Sequence, residues 1–194
     1  MKLEDLIPDR YEEIGSDPSI WAMNAQLLMR AARIICAQHE GSFSEGKITP
    51  RPGGGGIVND PWTVIDFELF RVYYLLAGLA LELQFKAILV ARNPTIALKG
   101  VNWGCGRGGH DLKGLAQLAG IEISSYSSLI KHLTEAVIWR GKYPVDTRGS
   151  HLYEANFLNF GGSHVWGDSK NQIEKIYELG CEAYQQAVNL RKTN

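Results

Sequence analysis

The stretch "VYYLLAGLALELQFKAILVA", residues 72 to 91, decides the fold. It is the most membrane-like run in the chain, yet Glu82, Gln84 and Lys86 stand near its middle. The two charged residues alone would cost roughly 2.5 to 3.5 kcal/mol each at the centre of a bilayer helix. Apolar residues surround the stretch on nearly every side, from Phe67 through Tyr73, Tyr74, Leu79, Leu83, Phe85 and Ile88. That pattern predicts a helix enclosed by neighbours in a soluble bundle, with no part in a membrane. Glu82 and Lys86, at i and i+4, are placed to pair on its single polar stripe.

Working outward, Asp60-Pro61 supplies a cap and a first-turn proline, and Asn93-Pro94 stops the helix just after Arg92. The same signals open an earlier helix in "SDPSIWAMNAQLLMRAARIICAQHEG". Asp17 caps, Pro18 sits in the first turn, and Gly41 ends it. Its expected buried face is Ile20, Asn24, Leu27, Leu28, Ala31, Ile34, Ile35 and Gln38. A short third helix is predicted from His110 or Asp111 to Gly120. A fourth lies in "SSYSSLIKHLTEAVIWRG", with Tyr126, Leu129, Ile130, Leu133, Ala136 and Val137 on one face. A fifth lies in "SKNQIEKIYELGCEAYQQAVNLRK", with Ile173, Ile176, Tyr177, Gly180, Tyr184, Ala187 and Val188 inward. No segment alternates as a strand would over a useful length. The expectation is an all-α antiparallel helical bundle of four to five helices, one domain over residues 1–194, with long irregular loops at 41–59, 101–109 and 141–168.

The chain has 194 residues, 45% of them hydrophobic, and a formal charge of -1 from 20 basic and 21 acidic side chains. No global field draws it to nucleic acid or to an anionic surface. Cys36, Cys105 and Cys181 are odd in number and widely spaced, which fits neither a disulfide framework nor a zinc site and points to a reducing cytoplasm. The first residues, "MKLEDLIPDRYEEIG", contain no apolar core of a signal peptide.

In "VNWGCGRGGHDLKGLAQLAG", residues 101–120, Gly104, Gly106 and Gly109 match the spacing of a dinucleotide-binding turn. Such a turn needs a preceding strand and surrounding βα units, and here a helix and a connector precede it. A P-loop would need Lys and Ser or Thr where His110 and Asp111 stand. The glycines therefore read as a pliable connector, and no cofactor is expected.

Three further segments carry a resemblance. "LALELQFKAIL" (79–89), "GHDLKGLAQLAG" (109–120) and "AVIWRGKYP" (136–144) resemble, in order and rough spacing, motifs of the HEPN family of small helical domains. The likeness covers residues 67–144, with Gly141-Lys142 inserted before Tyr143-Pro144. It implies a four- or five-helix bundle, often a homodimer, found in prokaryotic stress and defence systems and beside nucleotidyltransferases. Some members are ribonucleases and others only bind. The ribonuclease members use an Arg and a His four to six residues apart, the guanidinium holding the phosphate while the imidazole moves protons. Arg33 and His39 have that spacing, though Ile34 follows the Arg where a polar residue is usual. They read equally as a surface Arg and a helix-end His.

A second constellation gathers in the loops: Arg107, His110, Asp111, Arg140, Lys142, Tyr143, Arg148 and His151. Basic side chains beside aromatics suit a phosphate-bearing or single-stranded nucleic-acid ligand, through charge and base stacking. The competing reading is a long loop folded onto the bundle with its charges in water. No H-E-x-x-H, Cys-x-x-Cys or G-x-S-x-G is present, and no metal site is expected. Three functions remain: an RNA- or nucleotide-binding domain, a module for homodimerisation or for a partner such as a nucleotidyltransferase or antitoxin, and a metal-independent ribonuclease toxin.

Overall fold

The computed structural model describes residues 13–39, 49–50, 56–57, 61–97, 103–140 and 163–193. The fold is all-α. Helix α1 is Pro18–His39, α2 Pro61–Arg92, α3 Leu112–Leu118, α4 Ser127–Glu135 and α5 Ser163–Thr193. A π-helical segment, Ala136–Arg140, continues α4. Among the described residues the extended pairing is confined to Thr49–Pro50 against Gly56–Ile57.

The helix ends follow local chemistry. Asp17 Oδ1 accepts hydrogen bonds from Ser19 N at 2.8 Å and Ser19 Oγ at 2.7 Å, so α1 starts where the Asp-Pro pair predicts. Asp111 caps α3, accepting from Lys113 N at 3.2 Å. At the other end of α3, Gly120 takes φ +67° while its N–H bonds Gln117 O and Ile121 N bonds Ala116 O, a Schellman closure that favours glycine.

Helix α2 is the axis of the molecule, and every other α-helix packs against it. From Ala77 to Ala91 its residues are buried except Leu79 and Leu83, which are half-buried. The segment Arg71–Arg92 is long and apolar enough to cross a membrane, yet 72% of its test window is buried inside the protein, as expected of an enclosed core helix. One contiguous core joins Met29 of α1, Phe85 and Ile88 of α2, Leu115 of α3, Leu133 of α4 and Ile173 and Ile176 of α5.

Two expectations are corrected. Helix α1 buries Ala22, Ala25, Met29, Ala32 and Cys36, not the larger residues on its neighbouring face. The small side chains let the α1 backbone approach α2 closely, which leaves Leu27 and Ile34 more than half exposed beside Met23. The fifth helix starts at Ser163, six residues into the stretch read as loop.

Close approach also explains two glycines. A Cβ at Gly78 would lie 2.7 Å from Val137 Cγ2 and 3.1 Å from Leu133 O, so α2 and the α4 end touch nearly backbone to side chain there. At Gly180 it would lie 2.9 Å from Gln84 Cγ, and Gln84 Nε2 donates to Gly180 O at 3.1 Å. That bond satisfies a buried amide on the core helix.

Candidate functional site

The pair foreseen on α2 forms, but in the interior. Lys86 Nζ lies 2.6 Å from Glu82 Oε1, with side-chain exposures of 8% and 5%. Charges that deep persist only when paired and hydrogen-bonded. The second carboxylate oxygen, Oε2, is taken by His110 Nδ1 at 2.9 Å. An ionised carboxylate only accepts, so Nδ1 carries the proton, and Nε2 is the ring nitrogen left to water or a ligand. His110 is 39% exposed, whereas its partner is buried. With a neutral imidazole the group of three is charge-balanced.

The glycine-rich turn delivers His110 to this carboxylate. Gly104, Gly108 and Gly109 have φ of +70°, +66° and +89°, a left-handed path that L side chains resist. Gly109 N donates to Gly106 O at 3.3 Å. The Cys105 sulfur accepts from the Asp111 backbone, and its Cβ sits where a side chain at Gly114 would go, 2.7 Å away. Burial pushes the Cys105 thiol up, aided by the Asp111 charge, so this sulfur packs and bonds without becoming a thiolate. The turn folds onto the start of α3, whose Lys113 N–H is already capped by Asp111. It is a positioning device for a side chain and not a phosphate cradle.

Trp103 closes the site on the remaining side. Lys86 Nζ lies 5.0 Å from its ring centroid, within cation–π range. A Cβ at Gly109 would come within 2.6 Å of Trp103 Cδ1, so glycine is also what lets the turn lie against the indole. Lysine, histidine, carboxylate and tryptophan thus form one unit drawn from α2 and the 103–110 turn.

The other singled-out residues are spread over the molecule. Arg33 lies on α1 and forks onto Glu174 of α5, Nε to Oε1 at 2.9 Å and Nη2 to Oε2 at 2.6 Å. Its guanidinium also lies 5.7 Å from the Tyr177 ring centroid. The hydrogen bond from Glu174 holds the Arg33 guanidinium above its ordinary value. His39 is the last residue of α1. Asp111 is a helix cap, Arg107 begins a 3-10 turn and Arg140 ends the π-helical segment. Lys142, Tyr143, Arg148 and His151 lie outside the described residues, as do the side chains of His39, Arg107 and Arg140. Of the loop constellation, His110 alone enters the network with Glu82 and Lys86.

Reading the sequence marked Glu82 and Lys86 as a structural pair and missed that His110 and Trp103 complete it. The i, i+4 spacing is local, whereas nothing in the 28 residues between Glu82 and His110 announces their meeting. Among the described residues no group of three or more His, Cys, Asp or Glu side chains is arranged to hold a metal ion. Comparison of the chain with family models, with curated proteins and with solved structures finds no match to any of the three.

Proposed function

We propose that the chain is a cytoplasmic, HEPN-like domain that binds RNA or a nucleotide, offering His110 Nε2 to a phosphate. The reading is supported by one observation: two of the segments that carry the resemblance, forty residues apart at their extremes, meet through their polar members. Glu82 and Lys86 of "LALELQFKAIL" and His110 of "GHDLKGLAQLAG" share a single buried carboxylate. A carboxylate behind Nδ1 fixes the ring's orientation, the arrangement by which a histidine is held ready for a ligand or a proton. Arg140 and Arg148 are the cations assigned to the same ligand.

The test is a gel-shift series with short mixed RNAs and with nucleotides at low and moderate salt, read for binding and cleavage together. Affinity is expected to fall steeply with salt, and by about tenfold for His110→Ala, the worth of one lost phosphate hydrogen bond. Arg140→Ala weakens it further. Binding untouched by salt and by both substitutions would refute the reading. Cleavage abolished by Arg33→Ala and His39→Ala would instead favour the ribonuclease reading.

A second reading has its own support. Met23, Leu27 and Ile34, all more than half exposed, run along one side of α1 at helical spacing. An apolar stripe of that kind suits homodimerisation or a protein partner such as a nucleotidyltransferase or antitoxin. A mass that rises with concentration and drops to the monomer for Leu27→Glu/Ile34→Glu would support it, and a monomer throughout with no partner recovered would count against it.

A further inference from the structure

Beside the start of α1 lies an open groove of about 600 Å³ whose walls carry no charge. Its volume is in the range of small-molecule sites. Trp21 and Trp103 form its aromatic corner, with centroids 5.4 Å apart and planes at 73°. Leu27, Leu28 and Leu83 line its walls, and Asn24 is the one polar side chain among the lining residues.

Both indoles are fixed before any ligand arrives. Trp21 Nε1 donates to Gly15 O at 2.8 Å, and Trp103 is held between Lys86 and Gly109. A third ring entering the corner stacks on one indole while meeting the edge of the other, the arrangement that ring quadrupoles favour. Preorganised walls spare the ordering cost that weakens most small-ligand sites.

The charge behind Trp103 narrows the class. Lys86 does not line the groove, yet its ammonium already draws on the Trp103 π-system. A second cation on that ring would meet a depleted surface and the repulsion of a buried lysine. Asn24 narrows it again: its Nδ2 donates to Ile20 O at 2.8 Å, which leaves Oδ1 to accept from the ligand.

We propose that this groove is a binding site for an uncharged planar aromatic molecule of one or two rings that carries an N–H or O–H donor. The site stands apart from the phosphate reading of His110 and does not depend on it.

The test is ligand-observed NMR on the full chain with three probes of similar size: indole, the benzyltrimethylammonium cation and cyclohexylmethanol. Indole is expected to bind about tenfold more tightly than the other two. Leu27→Glu, at an exposed lining position, weakens indole by about tenfold, whereas Met23→Glu, equally exposed on α1 but outside the groove, changes it less than about twofold. N-methylindole, which has no donor, binds more weakly than indole to the native chain and equally well to Asn24→Leu. Absence of indole binding, equal binding of all three probes, or equal loss for Leu27→Glu and Met23→Glu would overturn the proposal. The last of these results would mark the α1 surface as a general protein-docking face.

Discussion

Removing one member of the Glu82–Lys86 pair is predicted to cost more than removing both. Both side chains are over nine-tenths buried, and the carboxylate is bonded at each oxygen. Glu82→Leu strands the Lys86 ammonium with only the Trp103 ring 5.0 Å away, a contact worth about 0.5 to 2 kcal/mol against a desolvated charge. The expected loss is about 3 kcal/mol. Lys86→Met keeps most of the stem and leaves Glu82 bonded to the His110 N–H, so its loss is smaller, about 2 kcal/mol. Glu82→Leu/Lys86→Met replaces the pair with apolar groups of similar length and should fall within about 1 kcal/mol of the native chain. Urea unfolding followed by far-UV circular dichroism resolves these values. At a slope of 2 to 3 kcal/mol per molar, the Glu82→Leu midpoint moves down by about 1 to 1.5 M while that of the double variant stays near the native one. A double variant as unstable as the sum of the singles would show that the two charges do not support one another, and the coupling argument would fail.

Two further outcomes follow from geometry elsewhere. Gly108 and Gly109 are adjacent with positive φ, but a Cβ at Gly108 meets nothing within 4 Å, whereas one at Gly109 meets Trp103 at 2.6 Å. Gly108→Asn should therefore cost less than about 1 kcal/mol, asparagine tolerating this conformation, while Gly109→Ala costs roughly 2 kcal/mol or more and shifts Trp103 emission. Glu122 accepts from Ser124, by the hydroxyl and by the backbone N–H at 2.7 Å, and these bonds lower its carboxyl below the ordinary value of 4.5. Its stabilising contribution is complete above that ordinary value and is lost as pH falls through the lowered one. An NMR titration should give a Glu122 midpoint below 4.5 that climbs toward it in Ser124→Ala, and an unchanged midpoint would remove the hydroxyl from the account.

The parts of the fold that could be read from sequence are those set by neighbours in the chain. Asp17-Pro18 and Asp60-Pro61 mark helix starts because capping and a fixed φ act within four residues, and α1 and α2 begin at those prolines. Gly120 marks an end for the same reason. The buried face of α1 was misjudged because periodicity weighs Leu27 and Ile34 above alanines, while packing on α2 rewards the face that lets backbones come close. The start of α5 was missed because Gly161, Gly162 and Gly167 read as a loop. Once a helix is nucleated and packed through Ile173 and Ile176, each added residue gains a backbone bond that offsets a poor propensity. The candidate site was legible in halves, the pair on α2 by its spacing and His110 by its turn. Their union depends on tertiary approach, which no local signal encodes.

The π-helical segment at Ala136–Arg140 bears on how this chain tolerates change in length. A π turn holds one more residue than an α turn, so it is what an α-helix becomes when a single residue is inserted without disturbing either flank. Deleting one residue from the segment should therefore relax it to ordinary α geometry, leaving the Leu133 side of the junction in place. Every side chain beyond the deletion would swing by about 100° around the helix axis. The segment acts as a phase-setter for the stretch that begins at Arg140, and a shortened variant would re-aim that stretch without unfolding the bundle.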